Sequence, residues 1–285
     1  MERKRLRVVT SINGRIVPLD RARISVFDNS LLYAEGLFET LLAIDDRPLF
    51  FDQHFDRLHR GAAATGLRIP VSRHQLSTWM RTALATHPAR IKKLRLTVTA
   101  GESARWVGIK GSSQVIISVS PHVLPTRPFK LFVSPLRVDQ RSSFRRIKTL
   151  SYAIHAASLR QAKAHLCDDA LLLNEAGQVA EVTSANIFWV IRNRVYTPPL
   201  AAGCLEGVTR LIVLDESYKL GISVEERQIT LRSLLHAEEL FISSSLKLVV
   251  PVSRILTPER AVQFSSGPVT NTLARYFRHR IGLRS

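Results

Sequence analysis

Asn13-Gly14 stands between two short apolar runs in LRVVTSINGRIVPL, and the same punctuation recurs along the chain. Asn-Gly accepts the left-handed dihedrals of a tight two-residue turn, so short apolar runs on either side predict a β-hairpin. A second hairpin is predicted where GLFETLLAI and PLFF flank Asp45-Asp46-Arg47-Pro48. ALLLNEAGQVAEV turns at Glu175-Ala176-Gly177, and NIFWVIRNRVYTP reads as another hairpin. KKLRLTVTAG and QVIISVS alternate with the strand period. Helical patterns lie between these runs. DQHFDRLHRGAAATG sets Phe55, Leu58 and Ala62 on one face and ends at Gly66. SRHQLSTWMRTALATH, LSYAIHAASLRQAKAHL and GVTRLIVLDESYKLG, the last stopped by Gly221, are the others. Hairpins and helices in mixed order predict α+β layers rather than a doubly wound parallel sheet.

The segment SPHVLPTRP carries three prolines and no periodicity, which makes it the expected linker. The expected organisation is a small N-terminal domain over residues 1–120, a linker at 121–128 and a larger C-terminal domain over 129–285. No stretch reaches the roughly 18–20 apolar residues a membrane helix needs. MERKRLRVVT is basic but no long apolar segment follows it, so no secretory signal is expected. Cys167 and Cys204 are too few for a disulfide framework or a zinc site. Both read as reduced thiols in a cytoplasmic protein. The net charge of +18 suits anionic substrates and cofactors. It is dispersed, without a recognisable nucleic-acid module, so neither a nucleic-acid nor a membrane partner is expected.

Five places could carry chemistry, and each also has an ordinary reading. Lys148, in RRIKTLSY, is either a solvated lysine or an amine kept nucleophilic by cationic neighbours. Glu181, in QVAEVTSANIFW, is a solvated strand-end carboxylate or the acidic partner of a heterocyclic nitrogen. CLEGVTR places Gly207, Val208 and Thr209 at a helix start, which is a routine cap or an anion cradle. Arg57 in HFDRL is an exposed arginine or a phosphate partner. Ser243-Ser244-Ser245 is a polar turn or a set of hydroxyl donors.

Together and in order, these segments resemble the class IV aminotransferase family, the fold-type IV pyridoxal-phosphate (PLP) enzymes. The likeness runs from about Asn13 to Val252 and rests on NGR, YAEGLFET, HFDRL, IKTLSY, the ALLLNEAGQVAEVTSANIFW pair, YTPPL, CLEGVTR and ELFISSSLKLVVPV. The resemblance implies two domains with the fold of D-amino acid and branched-chain aminotransferases, PLP as cofactor, and a homodimer acting on a small molecule. By motif position, Lys148 holds PLP as a Schiff base and Glu181 faces the pyridine nitrogen. Arg57, Gly207, Val208, Thr209 and Ser244 bind the phosphate, and Tyr152 lies near the ring's 3′-oxygen. Within the family the likeness favours aminodeoxychorismate lyases, through Trp189 in NIFW, the stretch KLRLTVTAG and SFRRIK ahead of the lysine. That implies conversion of 4-amino-4-deoxychorismate to 4-aminobenzoate and pyruvate, a step toward folate. The alternative is a transaminase acting on branched-chain amino acids, D-amino acids or amines. The chain departs from the family pattern at Asp28-Asn29-Ser30, at Tyr33-Ala34-Glu35-Gly36 and at the triple serine, the first two near the expected substrate pocket.

Overall fold

A computed structural model describes residues 8–102 and 112–283. The chain divides into two compact units, Met1–Leu124 with Ile147–Ser151, and Pro125–Arg146 with Tyr152–Ser285.

The first unit contains β1 (Val9–Ile12), β2 (Arg15–Val17), α1 (Asn29–Leu32), β3 (Gly36–Ile44), β4 (Arg47–Pro48), α2 (Phe51–Thr65), α3 (Arg73–Ala85), β5 (Ile91–Thr99) and β6 (Val115–Pro121). Its strands form one antiparallel sheet in the order β2-β1-β6-β5-β3-β4. The first hairpin turns at Asn13 (φ 49°) and Gly14 (φ 81°) as its sequence requires. The second is shorter than PLFF suggested. Its return strand is only Arg47–Pro48, because Phe50 adopts φ 54° and hands the chain to α2. Leu41, Leu94 and Ile117 from the sheet pack with Leu58, Met80 and Leu84 from the helices. Glu39 interrupts the β3 face that carries Leu37 and Leu41, so a carboxylate enters this core and needs partners.

The second unit contains β7 (Phe129–Val138), α4 (Ala153–Ala164), β8 (Asp169–Asn174), β9 (Val179–Val182), β10 (Asn186–Ile191), β11 (Arg194–Thr197), α5 (Val208–Glu216), β12 (Val224–Glu226), α6 (Leu231–Leu234), β13 (Glu239–Ser244), β14 (Leu248–Leu256), β15 (Ala261–Gln263) and α7 (Pro268–Arg280). A mixed sheet runs β12-β11-β10-β13-β14-β7-β8-β9, with β15 beside β14. Strands β8, β9, β10 and β13 are buried over nearly their whole length, as strands covered on both faces are. Helix α4 packs on β7 and β8, α5 on β13, and α7 on β13 and β14. Cys167 and Cys204 are buried and unbridged. Among the described residues no helix is long and apolar enough to cross a membrane.

Candidate active site

In the second unit, Glu181 lies on β9 opposite Leu172, with its side chain buried. Burial alone would favour the protonated acid. Three donors reverse this. Arg145 Nη2 donates to Oε1 at 2.5 Å, His155 Nε2 lies 3.3 Å from the same oxygen, and the Leu205 N–H donates to Oε2 at 2.9 Å. Burial raises the carboxyl pKa, but the His155 bond, the Arg145 charge and the Leu205 amide hold it below its ordinary value. An ionised carboxylate only accepts, so His155 donates from Nε2. Its Nδ1 is buried without a hydrogen-bond partner. The His155 ring stacks on Tyr152 at 4.1 Å, and the Tyr152 hydroxyl donates to the Thr183 carbonyl at 2.9 Å.

The start of α5 supplies a second feature of the same unit. Its cap, Gly207, is extended and contributes no side-chain bond. The first intrahelical bond runs from Leu211 N–H to the Gly207 carbonyl, so the amides of Val208, Thr209 and Arg210 have no helical acceptor. A Cβ on Gly207 would stand 2.0 Å from Asn186 Oδ1, so the position has no room for a side chain. Asn186 donates to the Leu205 carbonyl at 2.8 Å and pairs with Ser243 across β10 and β13. The hydroxyls of Thr209, Ser243 and Ser244 are buried and lack hydrogen-bond partners. Orphaned buried hydroxyls cost free energy, and here they belong to α5, whose first amides are open, and to β13, which packs on it. Such a donor set suits a phosphate group, and an ionised Glu181 with an unused lone pair suits a protonated ring nitrogen.

Lys148 belongs to the first unit. Ile147–Ser151 runs beside β3, with Phe38 N–H donating to the Lys148 carbonyl at 3.0 Å and Leu150 N–H to the Gly36 carbonyl at 2.9 Å. Lys148 Nζ lies 4.4 Å from the Phe38 ring centre, and Arg95 Cζ lies 3.9 Å from it. The lysine backbone is thus held in a short strand pairing. Arg57, on α2, is buried and grips Glu39 with Nε at 2.8 Å and Nη2 at 2.6 Å. His54 Nδ1 lies 2.7 Å from Glu39 Oε2. Burial would raise the Glu39 pKa, yet the Arg57 and His54 charges and bonds bring it down to about 2. Burial lowers the His54 pKa, against the pull of Glu39.

The unusual loop residues of the first unit bond to one another. Ser30 Oγ donates to the Glu35 carbonyl at 2.7 Å and accepts from Ala100 N–H at 2.9 Å, while Asn29 Nδ2 donates to Glu35 at 3.0 Å. Ala34 sits at φ 56°, where a glycine would be unstrained. Trp189 is fully buried against Tyr196 within the core. Sequence reasoning missed Glu39, His54, His155 and Asn186. Glu39 had a legible signal, an acid among leucines on one strand face. His155 shares a helix face with Ser158 and Ala162. Asn186 had none, since its role exists only beside Gly207.

A family model described as amino-transferase class IV matches residues 36–255. The chain is 31% identical over 251 residues to a Methanocaldococcus jannaschii protein with a provisional branched-chain-amino-acid aminotransferase name, covering 86% of each chain. It is 27% identical over 277 residues to the aminodeoxychorismate lyase of Bacillus subtilis, covering 95% of this chain and 94% of the lyase. Its fold is similar to that of a branched-chain amino acid aminotransferase from T.th. solved with pyridoxamine 5′-phosphate. The TM-score is 0.87 at 25% identity, covering 96% of this chain and 93% of that one.

Proposed function

The chain belongs to the class IV aminotransferase family and is a PLP enzyme, and from that premise we propose that it is an aminodeoxychorismate lyase. The observation that carries this reading is the lyase-like sequence, in NIFW around Trp189, KLRLTVTAG and SFRRIK, within a likeness to the Bacillus subtilis lyase that spans 95% of the chain. The reaction converts 4-amino-4-deoxychorismate to 4-aminobenzoate and pyruvate. PLP supplies an aldehyde that captures amines and a ring that takes up an electron pair. Lys148 carries the cofactor on its amine. With PLP bound, the Lys148 amine would take the proton from the carbon bearing nitrogen and return one to the departing three-carbon fragment. Glu181 keeps the ring nitrogen protonated. Arg57, the Val208 and Thr209 amides, the Thr209 and Ser244 hydroxyls and the close approach at Gly207 hold the phosphate, and Tyr152 serves the 3′-oxygen. The enzyme acts in the cytoplasm as a homodimer.

A second reading, a branched-chain transaminase, draws on the 31% identity to the Methanocaldococcus jannaschii protein. The two differ in what resets the cofactor. Purified holoenzyme given enzymatically made aminodeoxychorismate and no keto acid releases 4-aminobenzoate over many turnovers, followed by fluorescence, and Lys148→Ala abolishes this. Bleaching of the cofactor's visible band by L-leucine or D-alanine, with no 4-aminobenzoate from aminodeoxychorismate, overturns the lyase and leaves the transaminase.

A further inference from the structure

Glu181 has more partners than a ring nitrogen requires. A carboxylate offers about four acceptor positions, two on each oxygen. Arg145 and His155 use both positions on Oε1, and the Leu205 amide uses one on Oε2. One position remains, on Oε2. Arg145 is not a loose neighbour. Its Nε donates to the Gly203 carbonyl at 3.0 Å while Nη2 donates to Glu181, so the guanidinium is anchored at two points and largely buried.

The charged and titratable groups that face Glu181 come from three places. Arg145 comes from the short turn Ser143–Arg146, His155 from α4, and Cys204 from the segment ahead of α5. The Cys204 thiol is pushed up to about 12, by burial first and then by the Glu181 charge, so it stays neutral. Arg145 is therefore the fixed positive charge in direct contact with the carboxylate among the described residues.

We propose that Arg145 sets how tightly Glu181 holds the proton on the cofactor's ring nitrogen, by drawing part of the carboxylate's charge to itself. This rests on reading Glu181 as the ring-nitrogen partner. A pyridinium is stabilised by the negative charge beside it, and a cation bonded to that same charge weakens the effect. The ring nitrogen then gives up its proton at a lower pH than beside an unshared glutamate. A ring so tuned takes up electrons less readily. Loss of pyruvate from aminodeoxychorismate gains an aromatic product and needs that help least, whereas reversible amino transfer gains no such product. Arg145 is on this account a positioning residue that biases the site toward elimination.

The test follows the ring nitrogen directly. Holoenzyme is reconstituted with PLP labelled with nitrogen-15 in the ring, and the nitrogen chemical shift is recorded against pH for wild type, Arg145→Gln, Arg145→Lys and Glu181→Gln. Arg145→Gln raises the pH of proton loss by at least about 1 pH unit, Arg145→Lys lies between it and wild type, and Glu181→Gln falls below wild type. If Glu181→Gln falls while both Arg145 variants titrate with wild type, the inference about Arg145 is wrong and the role of Glu181 stands. If Glu181→Gln leaves the titration unmoved, the role of Glu181 fails and the inference with it. A wild-type nitrogen fully protonated across the whole stable pH range also overturns it. If Arg145→Gln does not retain PLP, Arg145→Lys decides, with an upward shift supporting the inference and a wild-type curve ending it.

Discussion

Glu39 is a buried carboxylate held by two neighbours on the next helix, and its ionisation is built into the stability of the first unit. Folded, its pKa is about 2 against an ordinary 4.5. Above pH 4.5 the carboxylate is ionised in both folded and unfolded chains, and its contribution is complete. As pH falls from 4.5 toward 2, the unfolded chain binds a proton that the folded chain refuses, and the contribution drains away. The amount is on the order of 3 kcal/mol. Urea unfolding across this window is predicted to show wild type losing stability with falling pH and Glu39→Gln losing less. The gap between them narrows toward the acid end. Parallel pH dependences would show that the Arg57 and His54 contacts do not set the charge of Glu39. The sequence displayed the acid among leucines, but not that Arg57 spends two donors on it.

Hairpin β1–β2 shows how local signals and packing combine in one element. Asn13 and Gly14 adopt the left-handed dihedrals expected of Asn-Gly. Asn13 also ties the turn to β6, with Oδ1 accepting from Val115 N–H at 2.9 Å. Gly14 carries a constraint that no turn statistics contain, because a Cβ there would lie 2.3 Å from the Trp79 indole. Gly14→Ala is predicted to cost about 2–4 kcal/mol, combining about 1 kcal/mol of dihedral strain with overpacking. Trp79→Leu in the same background returns the overpacking part and leaves the strain, measured by thermal melts of the four chains. An additive double mutant would show that the indole is not the obstacle. The second hairpin shows the reverse relation. PLFF has strand composition, yet Phe50 turns left-handed and Phe51 opens α2, because helix packing overrides the propensity of a four-residue run.

For the whole molecule, the first unit leaves Val26, Phe27 and Leu31 each more than half exposed within one short stretch. Large apolar side chains gathered in this way mark a surface that a partner covers. A homodimer is predicted, with sedimentation giving twice the 32.0 kDa chain mass and Phe27→Asp shifting the population toward monomer. A wild type that sediments at the single-chain mass would remove the homodimer from the proposed function. The sequence by itself determined several hairpins and four helices, the α+β class and the family with its cofactor. Turn dihedrals, residue periodicity and motif order are properties of neighbouring residues, and they can be read along the chain. Tertiary structure alone decided that Glu181 meets Arg145, His155 and the Leu205 amide, that Arg57 clasps Glu39, and that Asn186 closes on Gly207. Those partners lie far apart in the chain, and only burial makes their contacts matter. Away from water, each carboxylate and hydroxyl must find its donor or acceptor in whatever the fold sets beside it.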